Sequence, residues 1–322
     1  MNIDAHIEDR SPPRLAHPAR AIRALSVAST IATYLLIVLG STVRVTNSGM
    51  GCRSWPLCNG RVGPIDQFSP LMEQSHRYLA SVVTVLVIVV AILVWRSGPI
   101  ARHLRWTSGL GVTAIAVQII LGAITVLTKN APWTVAAHLL FAMLFVGIIT
   151  LNMVGSFRGL SPAPTRWCHL SLPTSAAIGA LYLILISGSL VVNGGAQAAC
   201  RSWLVCANSR AAGGLVALQL IHRGVILVSG TYLVYFLFAA RSRARRDQRR
   251  VLATLALGLL VIQVIVGMVN SALGAPVGVA DTHLALATAL WIILVSIAAF
   301  ESLASHVPRG ARQESRLVPL EG

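Results

Sequence analysis

Eight long apolar runs dominate this 322-residue sequence, and each is long enough to cross a lipid bilayer as a helix. A bilayer cannot satisfy an open sheet edge, whereas a helix satisfies its own backbone hydrogen bonds, so helices are the expected form. The composition agrees, since 55% of the residues are hydrophobic and 11% are charged. We predict an all-α integral membrane protein with eight transmembrane helices. The predicted spans are residues 22–43, 73–95, 106–128, 132–155, 174–193, 213–240, 251–271 and 277–300.

The net charge of +16 suggests a nucleic-acid partner, but the distribution of the charge argues against one. With the N-terminus inside, 18 of the 26 Lys and Arg residues fall in the tails and inner loops. This bias follows the positive-inside rule, and the run RSRARRDQRR at 241–250 then lies at anionic lipid headgroups. We expect membrane lipid and no nucleic acid as a partner, and a location in the cell (plasma) membrane with both termini cytoplasmic.

The first 20 residues are polar and do not read as a signal peptide. We expect the apolar run that follows to be retained as a helix, because the second half of the chain repeats it.

The chain consists of two copies of one unit. Cys52 and Cys58 recur 148 residues later as Cys200 and Cys206. Further matches at offsets from 148 down to 145 join Gly40 to Gly188, His76-Arg77 to His222-Arg223, Gln118 to Gln263, Gly122 to Gly267 and His138 to His283. Both copies begin inside, so we predict two pseudo-symmetric four-helix bundles related by an axis along the membrane normal. The predicted division is a cytoplasmic tail (1–21), a first half (22–155), a cytoplasmic linker (156–173), a second half (174–300) and a cytoplasmic tail (301–322).

The cysteine spacing predicts two local disulfides. Cys52, Cys58, Cys200 and Cys206 form two C-x5-C pairs in loops on the outer, oxidising side, and Cys168 lies alone inside. A structural zinc site is the alternative, although its cysteines are usually spaced more closely. Each bridge could be a plain staple, a cover over a site or an exchangeable redox pair.

Four histidines lie at similar depths in the even-numbered helices. His76 and His138 belong to the first half, and His222 and His283 to the second. Ionisable residues inside a membrane are costly and indicate function. Two imidazoles facing each other in a four-helix bundle suit the two axial positions of a haem iron. Hydrogen bonding between helices is the alternative for any one of them.

Other duplicated polar residues accompany these histidines. Arg77 and Arg223 could contact haem propionates or reach for lipid headgroups. Gln118 and Gln263 are expected to form interhelical hydrogen bonds. Glu73 lies one turn before His76, whereas the second copy has Gln219 in its place. Glu73 therefore marks a chemical difference between the halves, unless it only pairs with Arg77 four residues later.

The residues GMGCRSWPLCNG, EQSHR and the histidines of helices 4, 6 and 8 resemble haem A synthase of the bacterial type with paired loop cysteines. The resemblance covers residues 22–300. It implies a membrane oxidoreductase that converts the C8 methyl group of haem O to a formyl group, giving haem A for terminal oxidases. It also implies a haem b cofactor on His222 and His283, a substrate site with His76 and His138, and a catalytic Glu73. The partners it implies are haem O, haem O synthase and an electron donor such as a quinol.

Two other functions fit part of the pattern. A di-haem electron-transfer protein explains four histidines but not the difference between Glu73 and Gln219. A haem carrier needs a polar path across the bilayer, and the inner halves of the helices are expected to be uniformly apolar. An iron with two histidines has no open position for oxygen. Either one histidine leaves during turnover, or water attacks an oxidised methyl group beside Glu73.

Overall fold

The computed structural model describes residues 17–52, 54–58, 60, 66–158, 167, 169–202, 206, 209–243 and 248–303. This described part contains eight α-helices and no β-strand, and all eight helices are long and apolar enough to cross a membrane. Their bounds are α1 His17–Val45, α2 Phe68–Arg96, α3 Arg105–Leu127, α4 Pro132–Arg158, α5 Leu172–Asn193, α6 Gly213–Arg243, α7 Gln248–Ala272 and α8 Val277–Ser302. The predicted all-α fold with eight spans is confirmed.

Helix α2 begins at Phe68, earlier than the predicted start of its span at residue 73. The sequence prediction left out the early residues, which include Ser69 and Pro70, although proline is tolerated in the first turn of a helix. The earlier start places Glu73 inside the second turn of α2, where only 5% of its surface is exposed. The sequence also gave no sign of a short 3₁₀ helix, Gly98–Leu104, in the loop before α3.

Within each half, the helices contact one another in a closed ring. Helices α1, α2, α3 and α4 pack in that order with α1 against α4, and α5 to α8 do the same. The halves meet through α4 with α8, α1 with α8 and α4 with α5. An exchange of α1 with α5 and of α4 with α8 leaves this set of contacts unchanged. These reciprocal contacts support the predicted pseudo-symmetry, which stays a prediction.

The centre of the interface between the halves is an apolar core around Trp291 of α8. The indole nitrogen donates to the backbone oxygen of Met143 on α4 at 2.7 Å. Gly147 permits this approach, because a Cβ at that position would lie 3.3 Å from the indole nitrogen. The packing satisfies the only polar atom of the indole while burying its apolar surface.

Polar contacts join the halves at the end of the bundle that carries the cysteine loops, here called the cysteine end. The Thr42 hydroxyl donates to the Asp281 carboxylate at 2.9 Å, which connects α1 to α8. Arg44 of α1 donates to the Asn193 side chain of α5 at 3.3 Å. Asp281 therefore serves the interface between the halves and not the ring of His283 two residues later.

A buried polar cluster lies in the part of the first half that is farthest from the cysteine loops. The Asn152 side chain donates to Ser108 at 3.0 Å and accepts from Thr107 at 3.2 Å. Ser26 and Ser29 line a small cavity of about 10 Å³ with Asn152, which has room for one water. The expectation of uniformly apolar inner halves is wrong for this half. The positions at the repeat offsets in the second half are Thr174, Ala177, Leu252, Ala253 and Ile297.

Both predicted disulfides are present. Cys52 is bonded to Cys58 with a Cα–Cα distance of 4.7 Å, and Cys200 to Cys206 with a distance of 5.0 Å. The described residues contain no group of three or more His, Cys, Asp or Glu side chains that could hold a metal ion. The bonded sulfurs do not support the zinc alternative.

Several predictions concern residues outside the described ranges. They include most of both tails, half of the linker 156–173, and Cys168. The domain division and the sides of the membrane also stay predictions.

The disulfides and the predicted orientation can be tested together by thiol labelling. In intact cells, Cys52, Cys58, Cys200 and Cys206 should react with a membrane-impermeant maleimide only after reduction, because their sulfurs are bonded. Cys168 should react only after the membrane is opened. Labelling is measured by mass shift on single-cysteine and paired-cysteine variants. Reaction of Cys168 in intact, unreduced cells would contradict the orientation.

Candidate functional site

Each of the four membrane histidines packs against a glycine on the preceding helix of its bundle. A Cβ built on that glycine would lie 2.8 to 3.3 Å from the nearest ring atom. The pairs are Gly40 with His76, Gly122 with His138, Gly188 with His222 and Gly267 with His283. Because real Cβ atoms are rarely found so close to another atom, any larger residue at these positions would displace the ring.

The histidines lie at similar depths below the cysteine end. At 1.5 Å per residue, His76 and His222 lie about 12 and 13 Å from the starts of α2 and α6, and His138 and His283 about 9 Å from the starts of α4 and α8. The rings of His76 and His138 are close enough to interact electrostatically, as are those of His222 and His283. The structure therefore brings the histidines together in two pairs, one in each half.

The predicted interhelical contacts of the two glutamines are confirmed, and their partners are the histidines themselves. The Gln118 amide nitrogen lies 3.3 Å from Nε2 of His138 and donates to the His138 backbone oxygen at 3.1 Å. The Gln263 amide nitrogen lies 3.4 Å from Nε2 of His283. The Nδ1 atoms of both histidines are buried and have no hydrogen-bond partner among the described residues.

These residues fit a haem held by two axial imidazoles. Each bundle offers two neighbouring, half-buried imidazoles on different helices. The glycine against each ring brings the preceding helix so close that the ring cannot turn toward it. The unpartnered ring nitrogens of His138 and His283 are donor atoms of the kind that iron binds. Two histidines alone would leave a simple metal ion undercoordinated, and the structure adds no third ligand among its described residues.

Glu73 connects the first cysteine loop to α2. One carboxylate oxygen accepts the backbone N–H of Cys52 at 2.9 Å, and the other pairs with Arg77 at 2.5 Å. Arg77 also donates to the backbone oxygens of Ser54 at 2.7 Å and Pro56 at 3.0 Å. Glu73 and Arg77 thus both hydrogen-bond to the backbone of the first cysteine loop, and the predicted pairing of these two residues is present. Arg77 does not point toward lipid.

In the second half, the same two helix positions hold the loop with different chemistry. Gln219 donates to the backbone oxygens of Ala196 at 2.8 Å and Gln197 at 3.2 Å. Arg223 donates to the backbone oxygen of Cys200 at 3.2 Å and to Ser271 at 3.0 Å. Its other terminal nitrogen is buried and has no partner among the described residues. Arg223 therefore keeps an unused donor, whereas both terminal nitrogens of Arg77 are engaged.

Sequence reasoning missed the pairing of the glycines and glutamines with the histidines, and it missed Ser187 and Ser271. The repeat had aligned the four glycines and both glutamines, but it gave no reason to pair each with a histidine. Ser187, whose hydroxyl oxygen lies 2.8 Å from Nδ1 of His222, has no counterpart in the first half and so left no trace in the repeat. Ser271 connects Arg223 to the backbone oxygen of Cys200 at 2.6 Å and gave no signal in the sequence.

Comparison with known proteins gives consistent matches. Residues 23–295 match the model of a family described as cytochrome oxidase assembly protein, COX15-CtaA. A protein named heme A synthase from Geobacillus thermodenitrificans is 30% identical over 59% of this chain and 62% of its own length. Another heme A synthase, from Geobacillus kaustophilus, is 27% identical over 72% of this chain and 74% of its own. One from Symbiobacterium thermophilum is 27% identical over 85% of this chain and 94% of its own.

The contact between Gly267 and His283 can be tested by adding one methyl group. In Gly267→Ala the new Cβ would lie 2.8 Å from the His283 ring, so the imidazole should be displaced and the axial-histidine haem spectrum lost or weakened. Gly258→Ala on the same helix is the matched control, because its Cβ meets nothing within 4 Å. The control should be neutral or stabilising by up to about 1 kcal/mol, since alanine favours helix.

Absorption spectra and thermal unfolding of both purified proteins provide the measurement. Equal spectra for Gly267→Ala and Gly258→Ala would contradict the role of this glycine.

Proposed function

Since this chain belongs to the COX15-CtaA family of cytochrome oxidase assembly proteins, we propose that it is a haem A synthase that oxidises the C8 methyl group of haem O to a formyl group. The observation that carries the proposal is the pair of glycine-backed histidines in each half. The named relatives support haem A synthase function, and the family implies that haem O is the substrate.

We assign the cofactor to the second half and the substrate to the first. His222 and His283 would hold haem b, and His76 and His138 would bind haem O. Haem b would supply one-electron transfer to and from the first-half site. Glu73 supports the assignment. Among the described residues it is the only acidic residue one helical turn from any of these four histidines, and it lies in the first half.

The chain's own groups can assist oxidation of the methyl group. Conversion of a methyl group and one water to a formyl group releases four protons and four electrons. Glu73 is a buried carboxylate fixed by Cys52 and Arg77, so it needs little reorganisation to stabilise positive charge or to accept a proton. In the alternative route, one of the two histidines would leave the iron during turnover. Glu73 would then act on the proton balance only.

The two arginines have different capacities for haem propionates. Arg223 has a buried terminal nitrogen that no described residue uses, so it is the better candidate for a propionate contact. Arg77 would have to give up contacts to Glu73 or to the loop backbone. We therefore propose a propionate contact for Arg223 and a loop-holding role for Arg77.

We place the protein in the cell membrane, with its termini in the cytoplasm and its cysteine loops outside. Haem O synthase would supply the substrate, and an electron donor such as a quinol would exchange electrons with the second half. A di-haem electron-transfer protein remains the second candidate, because the two histidine pairs alone would suit it equally. A haem carrier is the third, and the polar cluster around Asn152 removes one objection to it.

Pigment analysis separates these three functions. Cells that make haem O should accumulate haem A when they express this chain, and the purified protein should show a low-spin spectrum with two axial histidines. His222→Ala or His283→Ala should remove the stable haem b signal, because each removes an axial ligand. Extracted haems are identified by chromatography. Haem O that stays unconverted on a folded, haem b-loaded protein would contradict the enzyme and favour electron transfer or carriage.

Glu73→Gln tests why the halves differ, with Arg77→Gln as the comparison. Glutamine can still accept the Cys52 N–H but carries no charge. If the charge acts on the methyl group, haem A formation should fall about 10²–10³-fold while haem b stays bound. Arg77→Gln keeps the carboxylate and removes its ion pair and two loop contacts, so it shows what loss of the arginine does while the carboxylate is still present. Haem A production, haem b content and thermal stability are measured for each.

Equal losses in both variants would assign Glu73 to loop holding. If Glu73→Gln forms haem A at the wild-type rate, the proposal that this carboxylate is catalytic is wrong.

A further inference from the structure

The two halves differ in what holds the histidine that follows the cysteine loop. In the second half, the Ser187 hydroxyl oxygen lies 2.8 Å from Nδ1 of His222 and 3.0 Å from the backbone oxygen of Ile184. In the first half, the position at the same offset from Gly40 is Leu39, which has no polar side chain. No hydrogen bond to the ring of His76 occurs among the described residues.

The two contacts of Ser187 are compatible with an iron bond through Nε2 of His222. If Nε2 binds the metal, Nδ1 carries the proton and can donate it to the Ser187 hydroxyl oxygen 2.8 Å away. The single proton of that hydroxyl can then go to the backbone oxygen of Ile184 at 3.0 Å. Ser187 thus offers the partner that a ligating imidazole needs on its other nitrogen.

The orientation of the two rings also differs. The atom of His222 nearest to a Cβ on Gly188 would be Cε1, at 3.2 Å, whereas the atom of His76 nearest to a Cβ on Gly40 would be Nε2, at 3.0 Å. His222 thus contacts two consecutive residues of α5, the glycine Gly188 and the hydrogen-bonding Ser187. His76 has the glycine contact but no ring hydrogen bond among the described residues.

We propose that Ser187 is a positioning residue that makes the second half retain its haem, and that Leu39 leaves the first half able to release its own. The inference rests on the proposed function, in which one site keeps a cofactor while the other must bind substrate and release product. A partner that fixes the tautomer and the plane of a ligating imidazole strengthens the metal bond and slows its loss. The same fold can therefore serve a permanent and an exchangeable site through one side chain.

The test measures haem retention by the full-length protein loaded with both haems. Excess apomyoglobin serves as the acceptor, and chromatography of the transferred haems reports the loss of haem b separately from that of haem O. Ser187→Ala should lose haem b about 10- to 100-fold faster than the wild type, the range expected for removing the partner of a ligating histidine. Ser187→Thr, which keeps the hydroxyl, should restore slow loss.

Ser189→Ala is the matched control, because Ser189 is buried on the same helix and accepts from Asn193, not from a histidine. It should leave haem b loss unchanged. The converse variant, Leu39→Ser, should slow the loss of haem O from the first half. Low-spin electron paramagnetic resonance of the haem b signal should shift in Ser187→Ala and not in Ser189→Ala, which a helix-stabilising role alone would not produce.

The outcomes separate the inference from the proposed function. Haem b that is bound by the wild type and lost at the same rate from Ser187→Ala, with an unchanged resonance signal, would overturn the inference and leave the proposed function intact. A folded wild-type protein that binds no haem b would overturn the proposed function and the inference with it.

Discussion

An imidazole pressed against bare glycine backbone occurs four times in this bundle, and the arrangement of the membrane helices depends on it. Glycine has no side chain, so the preceding helix can approach each histidine closely enough to fix its ring. In lipid, where apolar surface gives helices little reason to associate, such close packing and buried hydrogen bonds supply much of the attraction. The contact that builds each bundle is therefore also the contact that orients its candidate ligands.

Both halves share this contact between glycine and histidine. The positions at which the two halves differ are therefore informative about function. Three differences set the first half apart from the second: an acid in place of Gln219, leucine in place of Ser187, and a polar cluster around Asn152 in place of Ile297. The charge of Glu73 and the polar cluster bring proton-accepting groups into the first half. Ser187 adds a fixed hydrogen bond in the second. The proposed division into a reacting half and a retaining half would account for the first two differences, whereas the third lies at the opposite end of the first half from Glu73.

The sequence was sufficient for features that a single segment expresses. Eight apolar spans, two cysteine pairs and four matched histidines each depend on local composition or on a fixed offset, and the structure has all of them. Contacts between residues that are far apart in the sequence were harder to predict. Helix α2 starts earlier than predicted because its first turn accommodates Pro70, a residue that usually indicates a loop. The pairing of Ser187 with His222 depends on how α5 and α6 rotate against each other, and no residue of the first half repeats it.

The placement of Glu73 joins two features that the sequence presented as separate. Its carboxylate accepts the N–H of Cys52, so the first cysteine loop and the candidate catalytic acid form one hydrogen-bonded unit with Arg77. A change to either cysteine would loosen the loop and with it the carboxylate. Loss of activity in a cysteine variant would therefore not by itself demonstrate redox chemistry at the disulfide. The second loop gives the necessary comparison, because its disulfide lies over a neutral glutamine that donates to the loop and carries no charge to misplace.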